Sequence, residues 1–326
     1  MSRRASDERS VSESSGSSGD SNPIVTTVSP DTSSIISHVL PKTAVKILTW
    51  NVDFMAPNPR TRLSTVLEHI QVDVFGCSSD EEQPDPCCIL LQEVNPEAFP
   101  EILENEWVRQ HFCVVPVRPD DWPDGHYGNV TLVTRTIAVL SAQLLQFGNS
   151  LMGRHALVVD LRLDAPKHGT SKASESSTSD EETERRSLTA PTVTVRVANV
   201  HLESLPMGTS MRPGQLSAAA DMVRADGVHA GLIAGDMNAI APEDAVIHEQ
   251  AGLIDAWTGG EDEEDALTWG HQPPMEFPPG RLDRMFYTPN GRCAVVEPER
   301  VGVGLQTIEG QWASDHCGLV TTLRVR

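Results

Sequence analysis

From residue 44 onward, short runs of β-branched and aliphatic side chains alternate with polar stretches holding glycine, proline and asparagine. Such bounded runs predict strands over 44–50 (AVKILTW), 87–94 (CCILLQEV), 129–135 (NVTLVTR) and 154–163 (RHALVVDLRL). The same reading covers 192–202 (TVTVRVANVHL), 231–236 (GLIAGD), 281–288 (RLDRMFYT) and 316–325 (HCGLVTTLRV). TVTVRV alternates with period two, which sets one of its faces against solvent or a helix. Elsewhere the spacing lengthens. Leu63, Val66, Leu67 and Ile70 fall at i, i+3, i+4 and i+7 and predict a helix over 60–70. Leu216, Ala219, Ala220 and Val223 repeat that spacing over 214–227, with Gly227 suited to the C-terminal cap. Pro242 suits the first turn of a shorter helix over 242–252. Many strands with a few helices among them predict two packed sheets with helices outside, a layered α/β sandwich.

Two segments break the pattern. Residues 1–40 are rich in Ser, Asp, Glu and Gly and read as a disordered tail. Residues 165–191 (APKHGTSKASESSTSDEETERRSLTAP) are similar, but strand signals resume on either side. That segment reads as a long hairpin loop inserted into a single domain over 41–326. A chain of 326 residues, 39% of them hydrophobic, can bury one large α/β core. The start lacks the apolar stretch of a secretory signal. No run approaches the roughly 20 apolar residues that cross a bilayer. The expectation is a monomeric protein of the nucleus or cytoplasm, neither secreted nor membrane-bound. The six cysteines form no CxxC pair and read as thiols, most of them buried.

The formal charge of −21 narrows the partners. Acids cluster at 78–85 (SSDEEQPD), 179–184 (SDEETE) and 261–265 (EDEED), which read as solvated loops. Gripping a long duplex takes a basic stripe, so this balance counts against it and leaves room only for a short, focused basic site.

The chemistry-bearing residues stand at strand ends. The run GLIAGDMN closes on Asp236 and Asn238, although a charge at the end of a buried strand has no packing rationale. Asn51 follows the first predicted strand, and Gln92 and Glu93 stand near the end of the second. His201, Glu203 and Ser204 share HLES, Asp283 lies in RLDR, and Asp315 and His316 lie in SDH. Each alone has an ordinary explanation. Asn51 could start a turn, Glu93 could cap a helix, Asp236 and Asn238 could form an Asx-turn, and either histidine could sit in the core. Tyr127 in GHYGN could be a loop aromatic and Arg154 in MGRHALVV a surface cation. Together they would meet in one crevice. A carboxylate beside an amide there suits a hard, oxygen-seeking cation, Mg²⁺ or alternatively Mn²⁺. The chain has no zinc spacing, no phosphate loop and no GxSxG elbow.

The order TWN (49–51), LQEV (91–94), GDMN (235–238) and SDH (314–316) resembles the endonuclease/exonuclease/phosphatase superfamily, the DNase I-like metal-dependent phosphodiesterases. Within it, ILTWNVD, HLES, RLDRMFY, SDHCGL and LTW (267–269) resemble the 5′-tyrosyl-DNA phosphodiesterases. The resemblance implies a four-layer α/β/β/α sandwich of two mixed sheets and a hydrolase acting on phosphodiester bonds at DNA 5′ ends, in DNA repair. It implies Glu93 as the principal Mg²⁺ ligand, with Asn51 supporting metal and phosphate and Asp315 near the metal. Asp236 would deprotonate the attacking water, and Asn238 would hold that water or a phosphate oxygen. His316 would stabilise developing charge, oriented by Asp283. His201 and Ser204 would touch phosphate oxygens, and Tyr127 and Arg154 would face the DNA end.

One position departs from the subfamily. Where it has arginine two residues after the asparagine of the GDxN motif, this chain has Ile240, which offers phosphate no charge-assisted contact. Arg281, Arg284 and Arg212 are candidates to replace it. The residues leave two alternatives open. One is the same chemistry on RNA, a phospholipid headgroup or an inositol phosphate. The other is a non-catalytic scaffold.

Overall fold

Period-two alternation sorts the strand side chains into layers. The computed structural model describes residues 22–29, 42–166 and 191–326. One sheet contains β2 (Ala44–Asn51), β3 (Cys87–Val94), β4 (Phe112–Val115), β5 (Gly128–Thr134), β12 (Cys293–Val295), β13 (Glu299–Val301) and β14 (Gly318–Val325). Its order is β12-β14-β2-β3-β5-β4, with β13 beside β14. The second contains β1 (Ile24–Thr27), β6 (Ala138–Gln146), β7 (His155–Asp164), β8 (Thr192–His201), β9 (Ala230–Asp236), β10 (Ile254–Asp255) and β11 (Asp283–Tyr287). Its order is β1-β6-β7-β8-β9-β11-β10. Both are mixed, because β2–β3 and β8–β9 run parallel within otherwise antiparallel sheets.

Ile47, Leu90 and Val133 of the first sheet meet Leu157, Val197, Leu232 and Met285 of the second in a shared core. Their neighbours point the other way. Leu48, Ile89 and Leu91 pack under α1 (Pro59–His69), α2 (Phe99–Glu104) and α3 (Glu106–His111), through Leu63, Val66, Leu67, Ile102 and Trp107. Val158, Val200 and Ile233 pack under α4 (Arg212–Val223) and α5 (Ile247–Gln250), through Leu216, Ala219, Ala220, Val223 and Ile247. Each buried Leu, Ile or Val among them contributes about 1.5–3 kcal/mol, and the result is the four-layer α/β/β/α sandwich of the DNase I-like fold. Arg196 on the outward face of β8 bonds to Asp160 and to the Met222 carbonyl of α4, so the period-two strand faces a helix.

The disordered tail expected over 1–40 needs one correction. Ile24–Thr27 forms β1 at the sheet edge, paired antiparallel with β6, and Val28 after it enters the core. Four consecutive β-branched residues make that strand locally favourable, though Ser-rich surroundings masked it. The rest of that tail and most of the insertion at 165–191 lie outside the described residues. Sequence reading also passed over β6, whose AVLSAQLLQ lacks β-branched residues beyond Val139. All six cysteines are buried free thiols. No helix among the described residues is long and apolar enough to cross a membrane.

The parallel pairs decide where the site forms. In β2–β3 the C-terminal Asn51 stands opposite Gln92, and in β8–β9 His201 stands opposite Asp236. Antiparallel β11 begins at the same rim, with Asp283 opposite Asp236. A buried amide bridge fixes the two sheets against each other. Gln92 Nε2 donates to Asn199 Oδ1 (2.8 Å) and Thr49 Oγ1 (2.9 Å), and Asn199 Nδ2 donates to the carbonyls of Leu91 and Val130. Close approach of β8 and β9 depends on Gly235, at φ 147°, where a Cβ would lie 1.9 Å from the Val200 oxygen. Gly235→Ala is expected to destabilise the fold by about 3 kcal/mol or more, through strain and forced strand separation. Urea denaturation would measure it, and a loss below about 1 kcal/mol would contradict the close approach.

Candidate active site

At the rim, local backbone strain aims two side chains. Glu93 and Asn238 occupy positive φ, 57° and 48°, unusual for residues with a Cβ. At Glu93 the ladder to β5 slips between Leu91 and Val94, turning the carboxylate out of the sheet toward the crevice. Glu93 Oε2 accepts the Phe54 backbone N–H at 3.2 Å, and Asn95 donates to the Phe54 carbonyl instead of being capped by Glu93.

Asp236 lies at the centre. Its Oδ1 accepts the Asn238 backbone N–H (2.8 Å) and its Oδ2 accepts Asn51 Nδ2 (2.9 Å). The Asn51 Oδ1 accepts the Asp53 N–H, so its NH₂ group faces the carboxylates and fixes them. Asn238 Nδ2 donates to the Leu202 carbonyl (3.1 Å), tying β9's end to β8's. Burial pushes the Asp236 carboxyl up, and the carboxylates of Asp283 and Glu93 add to that against the opposing charge of His316. Burial likewise raises the Glu93 carboxyl, although Arg154 and His316 oppose it.

His316 precedes β14 and is anchored through Ser314, whose hydroxyl donates to the Asn51 carbonyl (2.6 Å) and accepts the His316 N–H (3.0 Å). Its Nδ1 meets Asp283 Oδ2 at 2.7 Å, and its Nε2 lies 3.9 Å from both Asp236 Oδ2 and Asp315 Oδ1. Burial alone would favour the neutral ring, yet Asp283, Asp315 and Asp236 outweigh it and hold the imidazolium well above its ordinary range. Asp315 itself accepts Trp269 Nε1 at 3.0 Å.

On the other side, Arg154 donates to His201 Nδ1 and to the Ser204 hydroxyl, and its guanidinium lies 5.3 Å over the Tyr127 ring. Burial, together with the charges of Arg154 and His316, keeps His201 neutral, well below its ordinary value. A guanidinium only donates, so Nδ1 of His201 is the acceptor and Nε2 carries the proton. That Nε2 has no hydrogen-bond partner and points between Glu93 Oε1 (3.5 Å) and Asp236 Oδ2 (3.4 Å). Ligand atoms of Glu93, His201 and Asp236 lie within 4.8 Å of one another, close enough to share a cation. The tautomer makes His201 a donor there, which leaves the oxygen atoms of Glu93 and Asp236 for a hard divalent ion. Tyr127 donates to the Met152 carbonyl (3.2 Å) and stacks on Phe54 at 4.1 Å.

The crevice thus gathers Asn51, Glu93, His201, Asp236, Asn238, Asp283, Asp315 and His316, with Arg154, Ser204 and Tyr127 along one wall. Glu203 of HLES turns away into structure, accepting from Ser150, Leu151 and Gln215. None of the three arginines considered as replacements at Ile240 is available. Arg212 is consumed by Asp244, while Arg281 and Arg284 are paired with Asp255 and Glu261 of the acidic 261–265 loop. Sequence reading missed Phe54, which carries no pattern of its own, and assigned no role to Ser314 of SDH, which matters through its contacts with Asn51 and His316.

No curated protein matches the chain by sequence. Among solved structures it is similar to D. rerio TDP2 complexed with single strand DNA product, at 18% identity and TM-score 0.64, covering 87% of this chain and 100% of that one. Truncated Caenorhabditis elegans TDP2 gives 19% identity and TM-score 0.60 over 86% of this chain and 98% of that one. The human Nocturnin catalytic domain with bound sulfate anion gives 15% identity and TM-score 0.54 over 93% and 98%. At such identities the likeness establishes a shared fold. The model of the Endonuclease/Exonuclease/phosphatase family matches residues 48–316, a stretch that contains every residue of the crevice, and the chain belongs to this hydrolytic family.

Proposed function

We propose that the chain is a divalent-metal-dependent phosphodiesterase that hydrolyses phosphodiester bonds at DNA 5′ ends, in the manner of a 5′-tyrosyl-DNA phosphodiesterase in DNA repair. The observation that carries this reading is a proton donor and a proton acceptor at one rim, a protonated His316 braced by Asp283 and a carboxylate at Asp236, 3.9 Å apart. The D. rerio TDP2 complexed with single strand DNA product supports a nucleic-acid end as substrate. Glu93, with Asp315 nearby and the Asn51 NH₂ group orienting the carboxylates, would hold Mg²⁺ or Mn²⁺, which when bound would polarise a phosphate oxygen as a Lewis acid.

The chain's own groups divide the remaining work. Asp236 takes the proton of the attacking water, for which its raised affinity suits it. Asn51 and the Asn238 backbone N–H keep that carboxylate oriented. The Nε2–H groups of His316 and His201 donate to phosphate oxygens as negative charge builds and the bond to the leaving group breaks. Arg154 sets the His201 tautomer and, with Ser204 beside it, offers a fixed positive charge to the phosphate.

The test is a substrate panel with Mg²⁺ and with chelator: a 5′-tyrosyl oligonucleotide, sphingomyelin, inositol phosphates and an abasic duplex. The expected result is Mg²⁺-dependent release of tyrosine that EDTA abolishes. Preferred turnover of another member would replace the substrate. Absence of metal-dependent turnover throughout would leave the scaffold reading.

A further inference from the structure

At the end of the sandwich opposite the crevice, cations meet. Asn51 closes β2 at the catalytic rim, and Lys46 stands five residues earlier on the same strand, about 17 Å away. A cavity of about 600 Å³ opens there, lined by Lys42, Lys46 and Arg324, by the hydroxyl-bearing Thr43 and Thr322, and by the 83–86 segment that leads into β3. A cavity of that volume takes a small molecule.

The sheet register brings the charges together. Val45 and Ile47 of β2 and Leu323 and Val325 of β14 enter the core between the sheets, so the alternate positions turn outward. Lys46 stands opposite Thr322 and Ala44 opposite Arg324, which makes the two cations diagonal neighbours on one face. Lys46 Nζ lies 5.1 Å over the Phe75 ring, which fixes the ammonium on that outward face. Lys42, just before β2, is clamped through its backbone. Its N–H donates to the Asp164 carboxylate and its carbonyl accepts the Asp164 N–H. Burial pulls the Lys42 ammonium below its ordinary value, and the charge of Asp164 offsets only part of that.

Stability gains nothing from this grouping. Like charges on neighbouring strands repel, and a partly buried ammonium costs free energy. Elsewhere the fold sets cations beside carboxylates, Arg196 at Asp160 and Arg212 at Asp244. A bound anion turns the cost into attraction, because a cleft lined by one sign of charge concentrates its counter-ion. Asp85 also lines the cavity and is exposed, at the end of the acid-rich 78–85 stretch. That stretch repels an extended polyanion and favours a compact one.

We propose that this cavity binds one compact phosphate dianion, either free phosphate or the phosphate of a nucleoside monophosphate. Lys46, Arg324 and Lys42 supply its counter-charge, and the hydroxyls of Thr43 and Thr322 donate to its oxygens. The site stands apart from the phosphodiesterase reading, since it shares no residue with the crevice and its test needs neither metal nor turnover.

The test is calorimetric titration of inorganic phosphate into the metal-free full chain, at a pH of about 7.5, where phosphate is mostly dianionic, with KCl constant. One site with a Kd below about 1 mM is expected. Lys46→Gln combined with Arg324→Gln is expected to weaken it at least about tenfold. The same double variant, without phosphate, is expected to melt no lower than wild type, because it removes a repulsion. No binding by wild type, or equal affinity in wild type and double variant, would overturn the proposal. So would a double variant that melts several degrees lower, since the two charges would then serve the fold. Titration with dTMP separates the sources. Affinity at least about tenfold above that of phosphate, lost in the double variant, assigns a nucleoside monophosphate, and equal affinity lost in the same way assigns free phosphate.

Discussion

Asp236→Asn is expected to lower kcat about a thousandfold or more while the metal-free protein melts at a temperature no lower than wild type. The two halves have one cause. Asp236 is buried beside Asp283 and Glu93, and its carboxyl is raised because the folded protein disfavours the charge. A neutral isostere removes that penalty together with the proton acceptor. His316→Ala should cost a comparable factor in kcat, since it deletes the donor facing Asp236 and strands the Asp283 carboxylate. Asp283→Asn separates the roles. Removing the carboxylate lowers the pKa of His316, so the alkaline limb of kcat/KM moves to lower pH. Steady-state kinetics over pH with calorimetry of the metal-free variants would check all three. Wild-type turnover by Asp236→Asn, or a melting point several degrees lower, would contradict the assignment.

Arg212→Ala is expected to be the most destabilising of the substitutions considered, by about 3–5 kcal/mol. Arg212 and Asp244 are both fully buried side chains joined by two hydrogen bonds, Nε to Oδ1 at 2.8 Å and Nη2 to Oδ2 at 2.6 Å. Removing the cation leaves the Asp244 charge without its partner in a low-dielectric interior. It also releases the carbonyls of Glu203 and Leu205, which Arg212 Nη1 holds at 3.0 and 3.1 Å. Those carbonyls flank Ser204 at the phosphate wall, so KM should rise even where the variant remains folded. Arg212→Leu with Asp244→Leu should recover most of the stability, because the pair is replaced and not broken. Chemical denaturation of the single and double variants reads the difference. A loss under about 1 kcal/mol for Arg212→Ala would show that the pair is not structural.

The hydrophobic pattern by itself determined the layers. Alternation along β8, the bounded apolar runs of β2 and β9, and the helical spacing in α1 and α4 state which side chains must leave water, and burial leaves little choice of partner. The order of acids, amides and imidazoles at strand ends likewise pointed to side chains that the fold brings together at one rim, since no packing need places Asp236 or Glu93 there. What sequence could not settle was how each residue is used. Arg154 and Arg212 look alike along the chain, yet one faces the crevice and the other is spent on Asp244. Glu203 and Ser204 are adjacent in HLES, and only Ser204 reaches the site. The tautomer of His201, the pairing of Arg281 and Arg284 with Glu261, and the meeting of Lys46 and Arg324 in one cavity were decided by tertiary structure. Charge, protonation and exposure depend on neighbours within a few ångströms, and those neighbours come from segments hundreds of residues apart in the chain, as Asn51 and Ser314 do.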